Sequence, residues 1–357
     1  MPRKSPKNVG LIGLGIIGSR VAAGLRSEGF NVYVWNRTPK AAPNFLGSPA
    51  EVAEVADIIQ IFVADSVALF SVIEAMGEAL TPEHVVVCHA TVGPEAVIEA
   101  ARYVQSRGAG FVDAPFTGSK LAAEKRELVY YLGGEEDDLK RVKPLLAASS
   151  KALVPIGEIG SAATIKIVTN MISAATAQTL AEALAIVQHA GLDPAVLGAA
   201  IAQNACRSGV VDLKLPMMIA GEYEPHFSVK HMLKDVQLGV SLANWLDLEV
   251  PVTTITAGLL FGAVQKGWGD LDFSALYKAY ASALAEPVEP VALVLATPPS
   301  ESPSAPPPAR VVEEKLAKVV ELPSLKAKAK LPRRTRSPGQ KPLEGERIDP
   351  GEPGARS

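Results

Sequence analysis

The sequence predicts a doubly wound, mostly parallel α/β sheet followed by an all-helical region, on three observations. From Asn8 to about Val154 short apolar runs alternate with helical patterns. From Ser161 to about Ala190 the chain runs without proline or glycine, and beyond Glu286 any apolar period is lost.

Each observation has a physical reading. Apolar runs of strand length separated by crossover helices build a parallel sheet, and the expected strands are Val9–Leu14, Asn31–Trp35, Ile58–Val63, Val85–Cys88, Gly110–Val112, Leu128–Leu132 and Ala152–Pro155. The Ala-, Leu- and Ile-rich run after Ser161 reads as one long interdomain helix, ended by Gly191. Further helices are expected at Pro194–Asn204, Ser208–Ala220, Val229–Leu246, Pro251–Lys266 and Phe273–Leu284. The proline- and charge-rich remainder cannot bury enough surface to offset its ordering entropy, which predicts a disordered tail. The expected organisation is a sheet domain over 1–160, an all-helical substrate and dimerisation domain over 161–286, and a Pro-rich, basic tail over 287–357.

At 357 residues, 48% of them hydrophobic, the chain is long enough for two cores. A net charge of -3 argues against chain-wide affinity for nucleic acid or membranes. The exception is local: Lys326, Lys328, Lys330, Arg333, Arg334 and Arg336 follow one another without an acid, as a solubilising tail or a nucleic-acid-binding or partner-binding arm. Cys88 and Cys206 lack metal spacing, so a reducing, cytoplasmic setting is expected. Residues Pro2 to Lys7 lead into no signal-peptide stretch, and no later run reaches membrane-spanning length. His84, His89, His189, His226 and His231 show neither metal spacing nor a nucleophile partner, and no metal site is expected.

Gly13-Leu14-Gly15-Ile16-Ile17-Gly18 follows a strand and opens a helix, the context in which G-x-G-x-x-G marks a Rossmann dinucleotide loop. The first glycine makes the turn, the second admits a pyrophosphate, and the third lets helix and strand approach. Helix-start N–H groups then face the phosphates. An NAD site usually ends the second strand with an acid; this chain has Asn36-Arg37-Thr38. Arg37 can pair with a 2′-phosphate, helped by the Asn36 and Thr38 side chains, so NADPH/NADP+ is the expected cofactor.

Three other places carry chemistry. Thr117-Gly118-Ser119 is a hydroxyl-rich turn, either an ordinary loop or a carboxylate cradle. Lys166 and Asn170 share one face of the long helix, where a lysine either snorkels to the domain edge or serves a reaction. Lys230 and Lys234 form an i, i+4 like-charge pair that a nearby anion would relieve, beside His231 and Asp235.

In their order along the chain, Gly13 to Gly18, Asp113 to Ser119, Gly160 through Lys166 to Asn170, and Lys234-Asp235 resemble the β-hydroxyacid dehydrogenase family, over residues 8 to 285. The similarity is to its glyoxylate and succinic semialdehyde reductase branch, related to 3-hydroxyisobutyrate dehydrogenase. The resemblance implies that Lys166 is the general acid, with Asn170 orienting it and the substrate. It implies that Thr117, Gly118 and Ser119 hold the substrate carboxylate, with Phe227 and Asp235 at the pocket edge. It also implies that Val63, Ala64 and Asp65 line the adenosine side, that Thr91 lies by the nicotinamide ribose and that Lys234 lies near the cofactor. Glu124 matches the acid that follows in the substrate motif. Two departures stand out: Arg126 and Ala162 occupy positions where members usually carry glycine. The implied activity is NADPH-dependent reduction of small carboxylate-bearing aldehydes or ketoacids. The alternatives are a 3-hydroxyisobutyrate-type dehydrogenase, and a catalytically silent scaffold that binds nucleic acid through the tail. Unpaired apolar faces on the helices predict a homodimer or homotetramer.

Overall fold

The computed structural model describes residues 8–281. Its eight strands are β1 (Asn8–Ile12), β2 (Asn31–Trp35), β3 (Ile58–Ile61), β4 (Val85–Cys88), β5 (Gly110–Asp113), β6 (Phe116–Thr117), β7 (Leu128–Gly134) and β8 (Ser150–Gly157). They form one sheet in the order β2-β1-β3-β4-β5-β7-β6, with β8 paired to β7. The first five strands are mutually parallel, whereas β7 runs antiparallel to β5 and β6, and β8 runs parallel to β7. The expected α/β class is what the chain adopts.

Helices α1 (Ile16–Ser27), α2 (Pro49–Val55), α3 (Ser66–Met76), α4 (Pro94–Ser106), α5 (Lys120–Glu124) and α6 (Glu136–Ala147) cover the sheet. Alternation along the strands divides its core between two faces. Val86 and Cys88 pack with Leu69, Ile73 and Val97 from α3 and α4, while Val85 and Val87 join Leu25 of α1 and Val142 and Leu145 of α6.

The helical region follows: α7 (Ser161–His189), α8 (Pro194–Ala202), α9 (Gly209–Ala220), α10 (Val229–Trp245), α11 (Pro251–Ala263) and α12 (Lys278–Ala281). Its core gathers around Ala177, Leu180, Ala181 and Leu184 of α7. Gly160, at φ +90, precedes α7 without a capping side chain. The carboxylate of Asp113, at the end of β5, replaces the cap by accepting from Gly160 N at 3.1 Å and Ala163 N at 2.9 Å. Burial pushes that carboxyl up to about 6, against the pull of these N–H groups.

Several expectations are corrected. The first and third strands end at Ile12 and Ile61 rather than at Leu14 and Val63, because ladder pairing stops there and Gly13 turns the chain at φ +101. The last strand is longer than expected, and the short β6 and α5 were not expected at all. Phe273–Leu284 is not one helix: a 3-10 turn over Phe273–Tyr277 precedes α12. The helix expected to reach Lys266 is α-helical only to Ala263, and a π turn with Gly267 at φ +79 follows. The tail with its basic run, like residues 282–284, lies outside the described residues. Among those described, no helix is long and apolar enough to cross a membrane and no cluster of metal-ligating side chains forms.

Candidate active site

The glycine loop bridges the ends of β1 and β3. A Cβ on Gly13 would lie 2.0 Å from the Phe62 carbonyl oxygen, and one on Gly18 2.0 Å from the Gly13 carbonyl oxygen. Both positions must therefore be glycine for the protein's own packing. Gly15 differs, since a Cβ there meets nothing within 4 Å. Gly15 also precedes α1 without a side-chain cap, leaving the first N–H groups of that helix available. An open cradle at an uncapped helix start fits a dinucleotide pyrophosphate.

At the end of β2, Asn36 accepts from Leu14 N at 2.8 Å through Oδ1 and donates to Thr38 O at 2.7 Å through Nδ2. Its side chain ties the turn to the glycine loop and keeps a second Nδ2 hydrogen beyond these two bonds. Arg37 and Thr38 are exposed beside it. Lys40, which sequence reasoning missed, donates from Nζ to Leu14 O at 2.7 Å and adds a second cation. Asp65 caps α3 by accepting from Ala68 N at 2.8 Å, so its carboxylate shapes the loop Val63-Ala64-Asp65 that borders the glycine turn.

The second half of the site consists of side chains from α7 and α10 and a backbone carbonyl from the segment after β4. Lys166 Nζ donates to Asn170 Oδ1 at 3.0 Å, and Asn170 Nδ2 donates to Asp235 Oδ2 at 2.6 Å. Lys234 Nζ lies 2.7 Å from Asp235 Oδ1 and donates to Thr91 O at 2.5 Å. Lys166, Asn170, Asp235, Lys234 and Thr91 thus form one connected chain. Lys166 is only 9% exposed. Burial pushes its ammonium down to about 8, with Asp235 opposing and Lys234 adding to the fall. Such a group gives up or takes a proton near neutral pH.

The remaining residues have partners of their own. Gly118 adopts φ +129 between Leu128 and Ala122, and Ser119 precedes α5 with its hydroxyl uncommitted to a cap. No hydrogen bond joins Thr117, Gly118 or Ser119 to Lys166 among the described residues. Glu124 holds Arg20 of α1 at 2.7 Å, and Lys120 pairs with Glu224, three residues before Phe227. Arg126 takes up φ +61, which accounts for the glycine usual at its position, and its side chain pairs with Glu28. The like-charge pair on α10 is relieved by protein acids: Lys230 finds Asp270 at 2.5 Å, and Lys234 finds Asp235.

His89 and Gln60, also unforeseen, form a buried polar contact at the sheet end. The His89 ring meets Ala114 O at 2.6 Å and Gln60 Oε1 at 3.0 Å and stacks on Phe62, and burial pushes its pKa down to about 3. It is a neutral packing group.

A family model described as the NAD binding domain of 6-phosphogluconate dehydrogenase matches residues 8–160. A second, described as NAD-binding of NADP-dependent 3-hydroxyisobutyrate dehydrogenase, matches residues 160–280. Glyoxylate/succinic semialdehyde reductase 2, chloroplastic, of Arabidopsis thaliana is 31% identical over 286 residues, covering 77% of this chain and 80% of that protein. Cytokine-like nuclear factor N-PAC of Mus musculus is 29% identical over 77% of this chain, which spans 51% of that longer protein. The fold is shared with a 3-hydroxyisobutyrate dehydrogenase from Mycobacterium tuberculosis, at TM-score 0.72 and 22% identity over 77% of this chain and 99% of that one. The chain belongs to the β-hydroxyacid dehydrogenase family, NAD(P)-dependent oxidoreductases that act on CH–OH groups.

Proposed function

We propose that the protein is an NADPH-dependent reductase of small carboxylate-bearing aldehydes or ketoacids, such as glyoxylate or succinic semialdehyde, with Lys166 as the general acid. The observation that carries this reading is the buried Lys166, held by Asn170 and brought close to neutral pH by its surroundings. The reductase of Arabidopsis thaliana similar to this chain supports the substrate class.

The backbone of Gly13, Leu14, Gly15, Ile16, Ile17 and Gly18 would hold the cofactor pyrophosphate, while Asn36, Arg37, Thr38 and Lys40 would take the 2′-phosphate. Val63, Ala64 and Asp65 would border the adenosine, and Thr91 and Lys234 the nicotinamide end. When bound, NADPH supplies the hydride. Thr117, Gly118 and Ser119 bind the substrate carboxylate through hydroxyls and N–H groups, and Phe227 and Asp235 close the other side. Lys166 gives its proton to the oxygen that gains charge, and Asn170 fixes the direction of its Nζ. Asp235 holds Asn170 in turn.

The oxidative direction, as in a 3-hydroxyisobutyrate dehydrogenase, uses the same residues with Lys166 neutral as the base; it is favoured by the family model over the helical region. NADPH pools in cells usually favour reduction. Exposed Ile172, Ile186, Val252, Ile255 and Phe261 lie on the helical region, and we assign them to contact between copies in a homodimer or homotetramer. Cys88 and Cys206 are free thiols, as suits a reducing cytoplasm. The test is a panel of small aldehydes and ketoacids assayed with NADPH and NADH side by side. Turnover confined to carboxylate-bearing carbonyls with NADPH is expected; no turnover on any of them rejects the reading.

A further inference from the structure

The helical region contains a second buried charged lysine, remote in sequence from the first. Lys214 on α9 and Asp272 are 1% and 0% exposed. Lys214 Nζ reaches both carboxylate oxygens, at 2.8 and 2.9 Å, and lies 4.3 Å from the centre of the Phe273 ring.

The carboxylate does more than neutralise this lysine. Asp272 Oδ2 accepts from His226 N at 3.0 Å and Phe227 N at 3.1 Å, and Oδ1 accepts from Ser274 N at 3.0 Å. Phe273 N donates to Phe227 O at 3.0 Å, so the backbone of Phe227 is held on both its donor and its acceptor side. The Phe227 and Phe273 rings meet edge to face at 6.5 Å between centroids. Two residues beyond Phe227 begins α10, which carries Lys234 and Asp235, and Val229 N is fixed by Leu271 O at 2.9 Å.

A buried ion pair is a poor stabiliser, because desolvation of both charges offsets their attraction. Its geometry here is that of a clamp. A carboxylate with several donors on its two oxygens has little freedom to rotate, and every group bound to it inherits that fixed position.

We propose that Lys214 and Asp272 are positioning residues that set affinity for the carboxylate substrate by fixing the Phe227 segment and the start of α10. The proposal rests on the substrate pocket assigned above. Lys214 orients Asp272, Asp272 holds His226 N and Phe227 N, and Phe227 is thereby presented at a fixed distance from the chain of Lys166, Asn170 and Asp235. Neither residue touches the reacting atoms.

The test uses the full chain and the charge-neutral double variant Lys214→Met/Asp272→Asn, with Lys214→Arg, which keeps both charges but changes the geometry of the pair, as the variant read if the double fails to fold. Steady-state kinetics with the carboxylate substrate are expected to show KM raised about tenfold or more, with smaller change in kcat. NADPH affinity by fluorescence titration and the pH midpoint of kcat are expected to move less than KM, since the clamp residues reach the cofactor and Lys166 only through the start of α10. Hydrogen exchange read on peptides covering 222–232 is expected to show lost protection at His226 and Phe227. A folded variant with unchanged KM overturns the proposal, whatever its Tm, and so does one whose segment keeps its exchange protection. Absence of turnover by the wild-type chain on every carbonyl substrate rejects the function assigned above instead, and exchange protection then still decides whether the clamp holds this segment.

Discussion

The glycine loop and the Lys166 chain are built by opposite means. The loop is backbone: Gly13 and Gly18 are forced by contacts within the protein itself, and Gly15 opens onto empty space beside an uncapped helix. The Lys166 chain is built mainly of side chains from α7 and α10, closed by the backbone carbonyl of Thr91 after β4, across 65 residues between Asn170 and Asp235 and 143 between Thr91 and Lys234. The first binds by shape and dipole, and its chemistry is fixed once the turn forms. The second has a proton affinity set by burial and two neighbouring charges, so single substitutions retune it.

The comparison breaks first at Lys166. Lys166→Ala is expected to lower kcat for reduction by about 10²- to 10⁴-fold, the usual contribution of a positioned acid. NADPH affinity by fluorescence titration should stay unchanged; a variant with unimpaired kcat would remove Lys166 from the mechanism.

The loop separates into glycines crowded by the protein itself and one that opens onto empty space, which the proposed function gives to the ligand. Gly13→Ala should lower Tm as well as cofactor affinity, because its φ of +101 and its contact with Phe62 both resist a side chain. Gly15→Ala should weaken NADPH binding while leaving Tm in place. Equal thermal losses in the two variants, read by calorimetry, would contradict the assignment of Gly15 to the ligand.

Arg37→Ala tests cofactor choice. Loss of a charge-assisted hydrogen bond, about 1.5–3 kcal/mol, should raise the NADPH Kd about 10- to 100-fold and leave NADH binding nearly unaltered. Parallel loss for both cofactors would assign Arg37 to the turn rather than to the 2′-phosphate.

Arg126→Gly is the smallest effect. Relief of the left-handed backbone, about 1–2 kcal/mol, competes with loss of the exposed pair to Glu28, about 0–1 kcal/mol. A slight gain in Tm is expected from a denaturation scan.

How much of this was legible in the sequence follows the same division. The glycine loop and the long α7 helix were read from spacing and composition, since backbone demands leave regular marks in the chain. Lys166 and Asn170 were legible as a pair on one helix face. Asp235 was read locally only as a neighbour of the lysine pair, and its place at the pocket came from family resemblance, because no local pattern places it against Asn170. Asp113 capping α7, and Asp272 clamping Lys214 and Phe227, are tertiary contacts without a local signature. The one available signal for Lys214 was a lysine set in the apolar run Leu213 to Ala220. Asn36 shows a role its residue type did not announce: its Oδ1 and one Nδ2 hydrogen tie the turn to the glycine loop.

The central claim is that burial makes Lys166 an acid near neutral pH, and the pH dependence of kcat for reduction tests it most directly. The protonated lysine donates, so kcat should be level below about 8 and fall as pH rises through that value, while oxidation gains over the same window. Asp235→Asn removes the charge that favours the ammonium, so its falling limb should move to lower pH. A wild-type profile that stays flat through this window, or a limb that Asp235→Asn leaves in place, would contradict the account.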